Sequence, residues 1–248
     1  MALYVNGDDF GLGESCTLAV AEALEKGYIT GTTMTANGEY FENAVRLAKK
    51  RGFTDKIGVH FNLTEGRPLT KEIEIIELFV KDGFFHKGYL KYPRELTDAE
   101  ANAVYKELSA QAERLKKSGL AVARADSHHY IHTFIHLAPI AARVCLEHDI
   151  IRVRIDRTFD TPERPRITDG RIANLWWRER GFLTTAHFGR MSDLEEGAVP
   201  DDVEIMTHPD YDKNGILIDR TGVEDGCPTG RPLREITRFL GEKEEKPL

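Results

Sequence analysis

A chain of 248 residues, 41% hydrophobic and 30% charged, suits one large α/β domain and is too rich in apolar residues to be disordered or fibrous. A formal charge of -7 argues against a nucleic-acid partner, and the basic stretches RLAKKRG (46–52) and RPRITDGR (164–171) read as a solvated helix face and a loop. Cys16, Cys145 and Cys227 are widely spaced with no CxxC, which fits reduced thiols, and no export or membrane-spanning stretch is evident, so a cytoplasmic protein without a membrane partner is expected.

In chain order, strands alternate with helices. ALYV (2–5) predicts a short strand, and ESCTLAVAEALEKG (14–27) a helix with apolar residues at Leu18, Ala21, Ala23 and Leu24 and a stop at Gly27. GTTMTAN (31–37) predicts a second strand, YFENAVRLAKKRG (40–52) a second helix and KIGVHFNL (56–63) a third strand. Residues 64–96, punctuated by glycine and proline and carrying Phe84, Phe85, Tyr89 and Tyr92, read as a long insertion; its aromatics suit either sugar stacking or an oligomer contact. TDAEANAVYKELSAQAERLKKSG (97–119) predicts a helix capped by Thr97. AVARADSHH (121–129) predicts a strand, FIHLAPIAARVCLEHD (134–149) a helix and IIRVRI (150–155) a strand. The pattern weakens over 156–200, then VEIMTHP (203–209) predicts a last strand and PLREITRFLGEK (232–243) a closing helix. This alternation implies parallel pairing, as a barrel or a doubly wound sheet.

In either architecture the active site lies at the carboxyl ends of the strands. The polar residues there are Asn6, Asp8 and Asp9; His60 and Asn62; Asp126, His128 and His129; Arg154; and His208. Two imidazoles and a carboxylate suit a catalytic divalent ion, so His60, His128 and either Asp8 or Asp9 form a candidate ligand set, the other acid acting on water. Strand alternation puts Asp126 and His128 on one face and His129 on the other. Each piece alone has an ordinary reading: paired acids cap helices and turns, His128, His132 and His136 also have the spacing of one helix face, and Cys145, Trp176 and Trp177 read as packing. Paired carboxylates drawn from Asp8, Asp9, Asp126 and Glu65 would suit a glycosidase, although adjacent residues are poorly placed to flank a glycosidic bond. A catalytically inactive sugar- or metal-binding barrel is the non-enzymatic alternative.

The stretches VNGDDFGL (5–12), IGVHFNLTEGRPL (57–69) and ADSHHYIH (125–132), with looser matches at TTAHFGR (184–190) and IMTHPD (205–210), resemble the YdjC-like carbohydrate deacetylases. That family is similar to the polysaccharide deacetylases, so the resemblance implies an irregular (β/α) barrel over 1–248, one catalytic domain with the insertion at 64–96. It implies a hydrolase that removes the acetyl group from an N-acetylated sugar or chitooligosaccharide, with magnesium as the metal, zinc or another transition ion being the alternative, and a homodimer. Carried over by position, Asp9, His60 and His128 would hold the metal, Asp8 would be the base, His208 the acid and Arg154 the residue that keeps Asp8 ionised, with Asp126 orienting a histidine. The chain departs from the family at Gly7, often alanine, at Tyr130, often a third histidine, and over 156–200.

Overall fold

The computed structural model describes residues 3–159, 168–194, 199–221 and 230–240. Its main sheet has seven parallel strands: β1 (Leu3–Phe10), β2 (Gly31–Met34), β3 (Ile57–Phe61), β6 (Arg124–Ser127), β7 (Arg152–Val153), β8 (His187–Arg190) and β9 (Val203–Thr207), in the order β7-β6-β3-β2-β1-β9-β8. The central strands are buried along their whole length, as parallel strands covered by helices must be. The crossover helices include α1 (Glu14–Glu25), α2 (Phe41–Arg51), α5 (Asp98–Lys117), α6 (Ala138–Glu147) and α7 (Thr168–Glu179).

The sheet is curled. On a flat sheet β7 and β9 would lie five strand spacings apart, about 24 Å. Yet Arg154, next after β7, donates from Nε to Glu204 of β9 at 2.7 Å. Beyond β7 the chain turns onto the opposite edge, where the Thr158 N–H donates to the Phe188 carbonyl of β8 at 2.9 Å. The α/β barrel-like expectation is met, with an irregular closure.

The insertion holds α3 (Lys71–Glu74), a hairpin of β4 (Val80–Lys81) and β5 (Phe84–Phe85), and α4 (Gly88–Lys91). Its aromatics divide: Phe85 and Tyr89 are buried, Tyr89 stacked on Phe79 with centroids 5.3 Å apart, whereas Phe84 and Tyr92 are exposed. Buried Glu107 of α5 ties the insertion down by accepting from the N–H groups of Leu69 and Thr70 and from the Thr70 hydroxyl.

Several boundaries differ from the sequence reading. Helix α1 buries Thr17, Val20, Ala21 and Leu24 and leaves Leu18 exposed. Helix α6 starts at Ala138 because Pro139 belongs in a first turn, where a missing N–H costs nothing. The segment 156–200, read as weak, carries α7, the edge strand β8 of the main sheet and α8 (Met191–Leu194). At the C-terminal side a small antiparallel sheet of β10 (Pro209–Tyr211), β11 (Leu217–Asp219) and β12 (Arg231–Pro232) precedes a short helical segment, Leu233–Leu240. Cys16 and Cys145 are free thiols, and Cys227 lies outside the described residues. Among the described residues no helix is long and apolar enough to cross a membrane.

Candidate metal centre and catalytic cleft

The carboxyl ends of β1, β3, β6 and β9 open into a cleft of about 730 Å³ whose lining includes Asp8, Asp9, His60, His128, Tyr130 and His208. In a regular strand Asp8 and Asp9 would face opposite ways. Here Asp9 takes a left-handed conformation, φ 66°, and the register between β1 and β2 shifts between Gly7 and Phe10. Aspartate tolerates that conformation better than most residues. Both acids therefore turn into the same interior.

Their surroundings differ. Asp8 accepts from Asn6 Nδ2 and from both terminal nitrogens of Arg154, each at 2.7 Å. Asp9 faces histidines: Oδ1 lies 2.9 Å from His128 Nδ1 and 3.3 Å from His60 Nε2, and Oδ2 lies 3.9 Å from His208 Nε2. Despite these approaches, among the described residues neither oxygen of Asp9 has a well-formed hydrogen bond, and neither does His60 Nε2, although all three atoms are buried. Orphaned buried atoms of this kind are rare in folded proteins.

A cation answers them. The ligand atoms of Asp9, His60 and His128 lie within 4.8 Å of one another, a possible metal-binding cluster. The remaining ring nitrogens have partners of their own. Strands β3 and β6 pair His60 with Asp126, so His60 Nδ1 donates to Asp126 Oδ1 at 2.7 Å, and His128 Nε2 donates to Glu65 Oε2 at 3.2 Å. Each ring is thus turned so that its other nitrogen points at Asp9, the carboxylate–histidine arrangement common around bound metals. Burial alone would keep His60 neutral, but Asp126, Asp9 and Asp8 outweigh it and raise its pKa to about 10, so these carboxylates demand a positive charge. Asp9 also resists its own burial: the neighbouring histidines, His128 foremost, hold it well below the usual carboxylate range.

Asp8, His60 and Asp126 also cluster closely enough for a metal. That space belongs to Arg154. Buried Arg154 reaches Asp8, Asp126 Oδ2 at 2.7 Å and Glu204 Oε1 at 2.7 Å, and Arg124 adds a second guanidinium on Glu204 at 2.8 Å. Asp8, Asp126 and Glu204 are each held by the Arg154 guanidinium at 2.7 Å, whereas Asp9 has Arg220 Nη2 at 3.9 Å.

The other sequence candidates are placed as follows. His208 stands at the cleft with Nδ1 2.7 Å from the Thr221 hydroxyl. Asn6 holds Asp8, whereas Asn62 shapes the 62–65 turn by accepting from the Thr64 and Glu65 N–H groups. The face assigned to His129 is corrected: β6 ends at Ser127, and left-handed residues at His129 (φ 53°) and Tyr130 (φ 56°) bring the His129 ring within 4.1 Å of His128, lining the same cleft. The same turn breaks the helical spacing of His128, His132 and His136. His132 is buried and donates from Nε2 to the Arg154 carbonyl at 2.9 Å, and His136 is exposed. Burial pushes His132 down to about 4, which keeps it a neutral structural ring.

Sequence reasoning missed Glu204, Thr33 and Thr221, and read His132 only as a possible helix-face residue. Glu204, a lone charge inside VEIMT, carried a readable signal; Thr33, which donates to Asp126 Oδ2 at 2.9 Å, looked like any β-branched strand residue.

The sequence model of the YdjC-like protein family matches residues 2–239. The chain belongs to the YdjC-like family. A carbohydrate deacetylase of Brevibacillus brevis is 33% identical over 222 residues, 88% of this chain and 84% of that protein. A carbohydrate deacetylase of Listeria welshimeri is 30% identical over 254 aligned residues, 98% of this chain and 96% of that protein. A crystal structure from Enterococcus faecalis V583, of a protein whose name refers to cellobiose-phosphate cleavage, superposes with a TM-score of 0.70 at 23% identity, covering 98% of this chain and 91% of that one. This likeness establishes the shared fold.

Proposed function

We propose that this YdjC-like protein is a carbohydrate N-deacetylase that releases acetate from an N-acetylated sugar or chitooligosaccharide, with Asp9, His60 and His128 as ligands of a divalent cation. The observation that carries this reading is the set of buried, unpartnered atoms of Asp9 and His60 at the floor of a cleft shared with Asp8 and His208. When bound, the cation supplies a Lewis acid that polarises the acetamido carbonyl and lowers the pKa of a water. Two imidazoles suit zinc or another transition ion better than magnesium, which prefers oxygen ligands.

The chain's own residues divide the proton work. Asp8, beside the ligand set, takes a proton from the attacking water, and the Arg154 fork fixes the plane of its carboxylate. His208 presents Nε2 from the β9 side and gives a proton to the amine nitrogen as the C–N bond breaks. Acetate and a free amino sugar result. The Tyr130 hydroxyl lines the cleft and donates to Met206 Sδ at 3.2 Å.

The test is elemental analysis of the purified chain combined with acetate release from di-N-acetylchitobiose before and after chelation. Near-stoichiometric metal and release that stops on chelation and returns on metal addition support the reading. Metal bound at this site without acetate release from any N-acetylated sugar would leave an inactive metal-binding barrel in its place.

A further inference from the structure

We infer that Glu204 is a positioning residue: by taking the Nε–H of Arg154 it turns the end of the guanidinium onto Asp8 and so aims the base. The inference rests on the reading of Asp8 as the base. Glu204 is the second residue of β9 and pairs in register with Tyr4 of β1 and Phe188 of β8, so the sheet fixes its backbone on both sides. Its side chain is buried, and Oε1 accepts from Arg154 Nε at 2.7 Å and from Arg124 Nη2 at 2.8 Å. Arg124 in turn lies over the Tyr4 ring, 3.9 Å from its centroid.

A guanidinium is a planar fork with five N–H donors. It offers a carboxylate two edges, the end made by Nη1 and Nη2 and the side made by Nε and Nη2. In Arg154 the end grips Asp8, at 2.7 Å on each oxygen. The side is divided between Glu204 on Nε and Asp126 Oδ2, which lies 2.7 Å from Nη2. Phe188 lies against the face, its ring centroid 5.0 Å from Cζ. Asp8 and Asp126 both draw on Nη2, so the two acids compete for one cation. Glu204 decides between them: while Nε is taken, Asp126 has a single nitrogen on the side edge and Asp8 keeps both at the end. Without Glu204 a buried Nε–H loses its acceptor, a costly state that a swing of the guanidinium toward Asp126 relieves. That swing opens the fork on Asp8 and frees the plane of its carboxylate. Misplacing a reacting group by about 1 Å can lower a rate by about 100-fold.

The experiment compares the metal-loaded full chain with Glu204→Met and Glu204→Gln, alone and combined with Asp8→Asn. Methionine fills a similar space without an acceptor and leaves two guanidiniums, Arg124 and Arg154, beside two carboxylates, Asp8 and Asp126, a set balanced in charge. Glutamine keeps an oxygen for Nε. In Glu204→Met, kcat for acetate release from an N-acetylated sugar is expected to fall about tenfold or more, with KM within about twofold and metal content near wild type. Crystals of that variant should show the Arg154 fork off Asp8, whereas Glu204→Gln keeps the fork and most of the rate. In the Asp8→Asn background the methionine substitution should cost nothing further; a merely structural fault would lower both rates alike. Losses that multiply, or a fork that stays on Asp8 in Glu204→Met, overturn the inference, as does a Glu204→Gln protein that has lost the fork. A fork lost in Glu204→Met together with full turnover in Asp8→Asn would instead overturn Asp8 as the base and leave the positioning of Arg154 established.

Discussion

Arg154 grips Asp8 through two parallel hydrogen bonds, Nη1 to Oδ2 and Nη2 to Oδ1, both 2.7 Å long and both buried. The same guanidinium also holds Asp126 and Glu204, so three carboxylates from three strands share one cation at the centre of the barrel. Replacing Arg154 with methionine keeps the volume and removes the charge, leaving those carboxylates uncompensated. Breaking one partner of a buried ion pair costs about 3–5 kcal/mol. Arg154→Met should unfold at clearly lower denaturant concentration than the wild type, and an unchanged midpoint would show the cluster to be electrostatically slack.

Asp8 and Asp9 should separate metal binding from turnover. Asp8→Asn leaves the Asp9, His60 and His128 atoms untouched, so metal content should stay near wild type while acetate release falls by about 100-fold or more, the usual size of a general-base effect. Asp9→Asn takes away the charged acceptor that faces both rings, and metal content should drop sharply. Elemental analysis beside initial rates distinguishes them. The reverse pattern would exchange the two roles.

Gly38 tests the turn that aims Asp9. A β-carbon at Gly38 would stand 2.1 Å from the Gly11 carbonyl oxygen and 2.7 Å from Leu12 Cα, both backbone atoms that no rotamer change can move. Gly38→Ala must therefore push the 9–12 turn outward. Overpacking of this kind costs about 1–3 kcal/mol. Thermal unfolding should show that loss, and metal affinity should fall with it because Asp9 sits on the displaced turn.

The strand-end residues were legible because a parallel sheet delivers every strand's carboxyl end to one rim, whatever its order: Asp8, Asp9, His60, His128, Arg154 and His208 all meet there. What sequence pattern did not convey was orientation. Period-two alternation put His129 on the far face, but the strand stops at Ser127 and two left-handed residues follow. Nor does alternation explain how neighbouring Asp8 and Asp9 both point inward; that takes the φ of 66° at Asp9. The partners of Arg154 were hidden for another reason. Glu204 lies five strands away in sheet order, and only the curl of the sheet brings it within 2.7 Å. Strand β8 and helix α7 escaped because HFGR is short and polar-ended and TDGRIANLWWRE carries a glycine in its first turn.

The start of α5 should fail in acid before the barrel does. Glu100 closes a capping box with Thr97 and also takes both terminal nitrogens of Arg94, at 2.9 and 2.6 Å, which hold its pKa down to about 2 against the opposing effect of burial. A folded-state pKa below the ordinary 4.5 means that the unfolded chain binds the proton more readily. The stabilisation is therefore complete above about pH 4.5 and is lost as pH falls toward 2. Glu100→Gln should melt below wild type at neutral pH, with the gap closing through that acid window. A gap independent of pH would assign the effect to the cap's neutral hydrogen bonds alone.

Asp126 should act on the metal without touching it. Its Oδ1 fixes His60 Nδ1, while Oδ2 is taken by Thr33 at 2.9 Å and by Arg154 at 2.7 Å, so the carboxylate is fully engaged behind the ring. Asp126→Asn keeps one acceptor oxygen but removes the charge that makes His60 a strong donor to a cation and replaces the other oxygen with a donor facing Arg154. Loss of such a partner lowers metal affinity by about 10–100-fold. Titration of metal into the chelated protein should show that weakening, with metal content restored to near wild type at saturating concentrations because Asp9, His60 and His128 all remain. Affinity equal to wild type would mean that the sheet alone orients His60, through its register with Asp126, and that the hydrogen bond between them adds nothing to the centre.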